Sequence, residues 1–218
     1  MRFDAYPYGL VAFCYDELAE LYSLGAIRRS KAHHLRKLSS GDRVLYAGVG
    51  RGADALAAAR LGVQVTALDL SPRMLSRLRR KRDEEGLELA IEEGDVAKHV
   101  PDTPYDAVVA NYFVNLFAPR EAAAMLEHLH RLVRPGGRLW FADFAPASGG
   151  RLGRGLTSAY YMPLNRAAWL LGFCARHPIP DYPTLLATVG VELVESERFP
   201  VAIGRDPAFC ALEARRLP

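Results

Sequence analysis

Short apolar runs alternate with amphipathic segments along most of the 218 residues of the chain. Runs that carry β-branched and aromatic residues predict five strands, at residues 43–47, 63–68, 87–92, 105–110 and 138–143. Good helix formers and helix start signals predict helices between the strands, at residues 53–61, 71–85 and 119–133. Strands that alternate with helices in this way are typical of an α/β domain with a parallel sheet.

The segment ahead of the first strand predicts helices. Residues 10–22 place apolar side chains near helical spacing, and residues 26–38 predict a second helix with a strongly basic side. The hydrophobic content of 50% is enough for one substantial core in a chain of this length. We therefore expect a single domain over residues 1–218.

The last third of the chain departs from the strand and helix alternation. Residues 146–155 hold several glycines among arginines and predict a mobile loop, after which residues 165–176 predict a helix. Residues 181–188 predict the start of the last helix. The alternating segments 191–196 and 207–215 predict an antiparallel hairpin that closes the sheet.

The first strand runs directly into three glycines at alternate positions, Gly48, Gly50 and Gly52, and a helix follows. Glycine permits positive φ and leaves no side chain between backbone and ligand, and a helix amino terminus offers unpaired N–H groups. The second strand ends in Asp69, nineteen positions after Gly50 (69 − 50), where an acid can bind both hydroxyls of a ribose. Taken by themselves, the glycines could equally form a tight turn that binds no ligand. Together with the acid, they predict an adenosine-containing ligand.

Further motifs follow in a fixed order. They are Asp-Leu-Ser-Pro-Arg-Met-Leu at 69–75, Glu-Gly-Asp-Val at 93–96, Tyr-Asp-Ala-Val-Val-Ala-Asn at 105–111 and Arg-Pro-Gly-Gly at 134–137. The glycines alone also fit the dinucleotide fingerprint, with Ala53 in the last place. As an ordered set the motifs resemble the class I S-adenosylmethionine-dependent methyltransferases, most like the ubiquinone/menaquinone-biosynthesis type. This resemblance covers roughly residue 15 to the end.

The resemblance implies a Rossmann-like, doubly wound sheet of seven strands whose last strand is antiparallel, with residues 1–40 as a helical cover over the cofactor cleft. It implies S-adenosylmethionine as methyl donor and S-adenosylhomocysteine as product. Implied cofactor-binding residues are Tyr15, Tyr46, Gly48, Gly50, Gly52, Asp69, Leu70, Met74, Asp95, Val96 and Asn111.

Several of these residues have a more specific implied role. Tyr15 would help to cover the methionine end of the cofactor, while Leu70 and Met74 would pack on the adenine. The Asp95 carboxylate would accept from the adenine amino group and the Val96 amide would contact a ring nitrogen. A buried tyrosine with a hydrogen-bonded hydroxyl is the alternative for Tyr15, and a turn aspartate that bonds its own backbone is the alternative for Asp95.

Tyr46 departs from the family pattern, which usually has an acid there that helps to hold the ammonium group of the cofactor. A neutral phenol supplies no charge to offset an ammonium. Either Tyr46 only accepts a hydrogen bond, or another acid such as Asp54 takes part, or the cofactor binds more weakly. The sequence favours a simpler role for Asp54, as an acid in the first turn of a helix.

Residues 145–180 correspond to the insertion that shapes the acceptor pocket in this family. Candidate pocket residues are Tyr112, Phe113, Tyr160, Tyr161, Trp169, Phe173 and His177, although each taken singly is more typical of a core. Asp143 lies at the carboxyl end of the fifth strand, on the same edge as Gly50 and Asn111. Asp143 and, with less support, His177 are the candidate catalytic bases; a helix or turn cap is the alternative for Asp143.

Composition limits which partners the chain is expected to bind. The net charge of +3 gives no reason to expect nucleic acid, and the arginines at 77–82 are followed by acids, which is typical of a solvated mixed-charge face. The three cysteines fit no metal spacing and suit reduced thiols. We therefore expect no metal site. Because no apolar run is long enough for a bilayer and no secretory signal is present, we also expect a cytoplasmic protein.

The sequence therefore predicts methyl transfer from S-adenosylmethionine to a small acceptor that is apolar or aromatic. Two alternatives stay open. A nicotinamide-dependent oxidoreductase would share the glycines and Asp69, but we find no residues suited to hydride transfer. A catalytically idle adenosyl-binding partner protein is the second, suggested by Tyr46.

Overall fold

The computed structural model describes residues 22–148, 150–170, 179, 181–201 and 206–217. Its strands are β1 (Arg43–Ala47), β2 (Gln64–Asp69), β3 (Ala90–Glu93), β4 (Tyr105–Val109), β5 (Val133–Phe144), β6 (Val191–Pro200) and β7 (Ala208–Arg216). They form one sheet in the order β3-β2-β1-β4-β5-β7-β6, in which β7 alone runs against the other strands. This confirms the predicted seven-stranded sheet with an antiparallel last strand.

The described helices are α1 (Ala26–Ala32), α2 (Ala53–Arg60), α3 (Pro72–Glu85), α4 (Pro119–Leu132), α5 (Arg151–Leu170) and α6 (Tyr182–Thr188). Helix α3 has the predicted bounds, because Ser71 accepts a hydrogen bond from the Met74 N–H and Gly86 ends the helix in a left-handed conformation. The predicted helix over 26–38 is α1 followed by a short 3-10 helix, His33–Lys37. The predicted helix over 10–22 lies outside the described residues except at its end.

Hydrophobic cores cover both faces of the sheet. Leu45 and Val108 belong to the core on the side of α4, whereas Val44 and Val109 belong to the core on the side of α2 and α3. Successive residues of a strand point to opposite faces, so β1 and β4 are buried on both sides. Such a sheet leaves the carboxyl ends of its strands as the edge where a ligand can enter.

The predicted loop over residues 146–155 is wrong for its second half, because α5 already begins at Arg151, whereas residues 146–148 belong to no helix or strand. Glycine has a weak helix propensity, but a contact with the segment between β6 and β7 explains why a glycine stands at position 153 of this helix. A Cβ atom on Gly153 would lie only 2.6 Å from the Asp206 carboxylate, which also accepts from the Ser148 N–H and from Arg198. Tertiary packing thus outweighs the local signal. The later part of the predicted helix over 165–176 lies outside the described residues.

The charged surface of α3 has the predicted mixed character. Arg80 lies 3.5 Å from Glu84, and Arg82 lies 2.8 Å from Asp83. These pairs support the interpretation of the arginine run as a solvated face. Among the described helices, none combines the length and the apolar character that crossing a bilayer requires.

Candidate functional site

The three glycines of the turn after β1 all have positive φ, but they meet different surroundings. A Cβ atom on Gly48 would overlap the ring of Phe113, and one on Gly52 would lie 2.7 Å from Leu78. A Cβ atom on Gly50, where φ is +57°, would have no atom of the described residues within 4 Å. Packing therefore requires glycine at the first and third positions, whereas Gly50 faces open space from which a ligand can approach the backbone.

Asp69 ends β2 directly beside this turn. Its Oδ2 accepts a hydrogen bond of 2.8 Å from the Gly50 N–H, and its Oδ1 accepts one of 2.8 Å from the Ser71 N–H. Burial raises the pKa of Asp69, although the backbone N–H groups around the carboxylate act in the opposite direction. The structure thus places the predicted ribose acid against the open glycine, while its contact with a ribose stays a prediction.

The residues expected around the adenine follow on the same edge. Leu70 is 49% exposed next to Asp69, and the register that pairs Asp69 with Glu93 brings the end of β3 alongside. Asp95 accepts a hydrogen bond of 3.0 Å from the Ala97 N–H, which is the turn role weighed against the adenine role. The predicted adenine contacts of Leu70, Met74, Asp95 and Val96 remain predictions.

A polar cleft opens on the side of Gly48, between the ends of β1 and β4. Its lining residues are Lys31, Tyr46, Ala47, Gly48, Val49, Asp54, Val109 and Asn111. The Asn111 amide donates to Asp54 Oδ2 at 2.8 Å and to the Lys31 carbonyl at 3.3 Å. Asp54, which the sequence favoured as a simple first-turn acid, is only 7% exposed and faces this cleft. Asp54 and Asn111 are therefore bonded to each other and line the same cleft.

Tyr46 forms a buried pair with His34, a residue that the sequence analysis missed. The tyrosine hydroxyl and His34 Nε2 are 2.8 Å apart. Burial lowers the pKa of His34 to about 4, against the opposing effect of Asp54, and burial with the charge of Asp54 raises the pKa of Tyr46 well above its usual value. Both side chains are therefore uncharged at neutral pH, and the position where the family usually has an acid carries no charge.

Asp143, a candidate base, is 1% exposed at the end of β5. Its Oδ1 accepts from the Asn115 amide at 2.8 Å and from the Phe144 N–H at 2.7 Å, and its Oδ2 accepts from the Tyr182 hydroxyl. A base needs an oxygen within reach of the proton that it removes. The geometry thus favours the alternative role, in which Asp143 anchors the end of β5. His177 and Tyr15 lie outside the described residues.

Three of the predicted acceptor-side aromatics come together around Phe209 of β7. Ring centroids of Tyr112 and Tyr160 lie 6.0 and 6.4 Å from that of Phe209, and the Tyr161 ring lies 4.7 Å from Phe144, which itself lies 4.9 Å from Phe209. Neither Phe144 nor Phe209 was predicted, because nothing local distinguishes them from other strand residues. Together the five rings form an aromatic cluster between α5 and the sheet.

The other predicted aromatics lie elsewhere. Phe113 packs beneath the glycine turn and 5.2 Å from the Phe117 ring, so its role is in the core. Trp169 is 46% exposed, and Phe173 lies outside the described residues. Tyr160 is also tied to Tyr22, ahead of α1, by stacking at 4.0 Å and by hydrogen bonds in both directions between hydroxyl and carbonyl groups.

Comparison with known proteins shows which methyltransferases the chain resembles. Residues 44–137 match the family described as methyltransferase domain. Over 144 residues the chain is 37% identical to the demethylmenaquinone methyltransferase of Thermus thermophilus, an alignment that covers 64% of each protein. In sequence and fold the chain is similar to the class I S-adenosylmethionine-dependent methyltransferases. The predicted resemblance to the quinone-biosynthesis type is thereby confirmed.

Other proteins similar to this chain are named for different methyl acceptors. It is 29% identical to the ribosomal protein L11 methyltransferase of Thermus thermophilus, over 66% of this chain and 54% of that protein. A solved structure of the 1,6-didemethyltoxoflavin-N1-methyltransferase of Burkholderia thailandensis superposes with a TM-score of 0.66, at 20% identity, over 98% of this chain and 92% of that one. The solved structure supports the fold. The chain spans less than two thirds of the length of the curated relatives named here.

Proposed function

We propose that this protein transfers a methyl group from S-adenosylmethionine to a small acceptor that is apolar or aromatic, and releases S-adenosylhomocysteine. The observation that carries the proposal is the pairing of Gly50 with Asp69. Gly50 presents bare backbone to open space, and its N–H is held by the carboxylate that ends β2. An adenosine ligand needs such a close approach and such an acid on the same edge.

The residues on this edge fit the adenosine half of the cofactor. The Asp69 carboxylate accepts hydrogen bonds from the Gly50 and Ser71 N–H groups, and a carboxylate oxygen that already accepts one hydrogen bond can accept another from a ribose hydroxyl. Leu70 presents an exposed apolar side chain beside that carboxylate, which suits the face of an adenine. An exposed leucine alone would mean little, but this one adjoins the acid that the ribose would need.

The aromatic cluster supports a flat, apolar acceptor. Tyr112, Tyr161 and Phe209 come from the turn after β4, from α5 and from β7, and their uncharged rings lie close to one another or to Phe144. Small-molecule sites are commonly lined in this way. The relative from Thermus thermophilus is named a demethylmenaquinone methyltransferase, and the flat ring of such a quinone, in its hydroquinone form, would suit these walls. We therefore assign a planar phenol or hydroquinone as the acceptor class.

Bound S-adenosylmethionine would supply a methyl group that is already activated by its sulfonium. The protein then has to hold the acceptor, keep water away and orient the reacting groups. The hydrogen bonds that Asp143 accepts from Asn115, Phe144 and Tyr182 support a reaction that depends on positioning more than on a protein base.

Transfer of label from S-adenosylmethionine carrying an isotopic methyl group tests this function. The purified chain would be incubated with a naphthohydroquinone, a simple phenol and an unstructured peptide. We expect label on the naphthohydroquinone and none on the peptide. Binding of S-adenosylhomocysteine without transfer to either ring compound would contradict the proposal and favour the idle partner protein. Label on the peptide alone would overturn the acceptor class.

A further inference from the structure

The polar cleft beside Gly48 contains a carboxylate oxygen whose hydrogen-bonding capacity is not used. Asp54 Oδ2 accepts from Asn111, but Oδ1 is buried and accepts no hydrogen bond from any described residue. Lys31 Nζ lies 4.0 Å from this oxygen, which is the outer limit of an ion pair. A buried carboxylate oxygen without a donor is costly, so the arrangement indicates a donor other than the side chains and backbone of the described residues, such as a bound ligand.

The neighbouring groups show what kind of donor this cleft accepts. The hydroxyl of Tyr46 is bonded to His34, and neither side chain is charged at neutral pH. Among the described lining residues, Asp54 is the one anion and Lys31 is the one cation. The Lys31 side chain is 31% exposed and can move toward a ligand, whereas Asp54 is fixed in the first turn of α2. The cleft thus offers one fixed negative and one adjustable positive charge.

We propose that Asp54 and Lys31 form the binding site for the amino acid end of the cofactor, with the α-ammonium group on Asp54 Oδ1 and the α-carboxylate on Lys31. The two charges of an α-amino acid would enter between two side chains that are only loosely paired with each other. This inference rests on the proposed function. It also explains how an uncharged Tyr46 can stand where the family usually has an acid. In this chain Asp54 of α2 would supply the negative charge that the family usually has on β1.

A site with these two charges favours adenosyl ligands that carry an amino acid end. An ammonium bound to a buried carboxylate makes charge-assisted hydrogen bonds, whereas an adenosyl ligand without an amino acid end cannot use Asp54 or Lys31. The chain should therefore prefer S-adenosylhomocysteine to 5′-methylthioadenosine. Analogues of S-adenosylhomocysteine that lack either the amino group or the carboxylate separate the two halves of the site.

Calorimetric titration of matched variants with these ligands tests the inference. Asp54→Asn should weaken S-adenosylhomocysteine by about 10- to 100-fold, because a charge-assisted hydrogen bond is lost, and leave 5′-methylthioadenosine and the deaminated analogue within about twofold. Lys31→Met should weaken S-adenosylhomocysteine but leave the decarboxylated analogue unchanged. Asp83→Asn, an exposed acid on α3, is the control and should change none of the affinities.

Two results would overturn the inference, and they are distinguishable. If Asp54→Asn weakens 5′-methylthioadenosine as much as S-adenosylhomocysteine, Asp54 supports the glycine turn and does not hold an ammonium. If the wild-type chain binds none of the adenosyl ligands, the proposed function fails and this inference fails with it. Thermal unfolding of each variant shows that the protein is folded, and Lys31→Met tests the site separately if Asp54→Asn does not fold.

Discussion

Replacing Gly50 by alanine separates a ligand role of the glycine turn from a purely structural one. Gly50 and Gly86 form a matched pair, because their φ angles are +57° and +63° and a Cβ atom added at either would have no atom within 4 Å in the part of the chain that the structure describes. Gly50 faces the open space beside Asp69, whereas Gly86 ends α3 on the exposed surface. The two substitutions therefore impose the same backbone strain at sites that differ in access to the ligand.

The expected magnitudes follow from that strain. An L-residue in the left-handed region costs roughly 1–2 kcal/mol, so Gly50→Ala and Gly86→Ala should lower the free energy of unfolding by similar amounts. For a chain of this size, each kcal/mol lowers the melting temperature by about 2–4 °C. Only Gly50→Ala places a methyl group against the approaching cofactor, and we expect at least a roughly tenfold loss of affinity there, which corresponds to about 1.4 kcal/mol.

The assay is a calorimetric titration of both folded variants with S-adenosylhomocysteine, after thermal unfolding has shown equal loss of stability. Gly86→Ala should bind like the wild type. If Gly50→Ala binds as tightly as Gly86→Ala, the cofactor does not approach the backbone at Gly50, and the turn serves only to connect β1 with α2.

Two further predictions concern buried groups. The pKa of His34 is held at about 4, below its value in the unfolded chain, so stability should fall as pH drops below about 6.5. The free energy of unfolding should fall by about 2 kcal/mol between about pH 7 and pH 5. In a urea-unfolding series over this range, His34→Gln should lose about that much less than the wild type. Asp143→Asn should cost about 1–3 kcal/mol of stability in the same assay, because the Tyr182 hydroxyl loses its carboxylate partner. A fall in turnover of about 100-fold at unchanged stability would instead make Asp143 a general base.

Features with local signals were predictable from the sequence. The serine cap, the proline at the first helical position and the glycine after the last turn define α3 because each acts on the backbone within a few residues. The glycine turn and Asp69 were predictable for the same reason, since their places are set by the end of a strand and the start of a helix. Such signals were enough to predict the sheet elements in order and most of the residues proposed for the adenosine side.

Features that depend on distant contacts were not predictable in this way. Asp54 resembles any first-turn acid until Asn111, 57 positions away, bonds to it in the cleft. The pairing of Tyr46 with His34 requires the segment after α1 to pack on β1. Helix α5 begins among glycines because Gly153 lies against Asp206, a contact across 53 positions (206 − 153) of chain. In each case tertiary packing decides what the residue does.

The central claim is that Asp69 and the glycine turn bind S-adenosylmethionine and no nicotinamide cofactor. Titration of the wild-type chain and of Asp69→Ala with S-adenosylhomocysteine and with NADH tests it most directly. We predict that S-adenosylhomocysteine binds at one site, that Asp69→Ala weakens it at least about tenfold through lost charge-assisted hydrogen bonds, and that NADH gives no binding heat. Binding of NADH in preference, or an unchanged affinity for S-adenosylhomocysteine in folded Asp69→Ala, would contradict the claim.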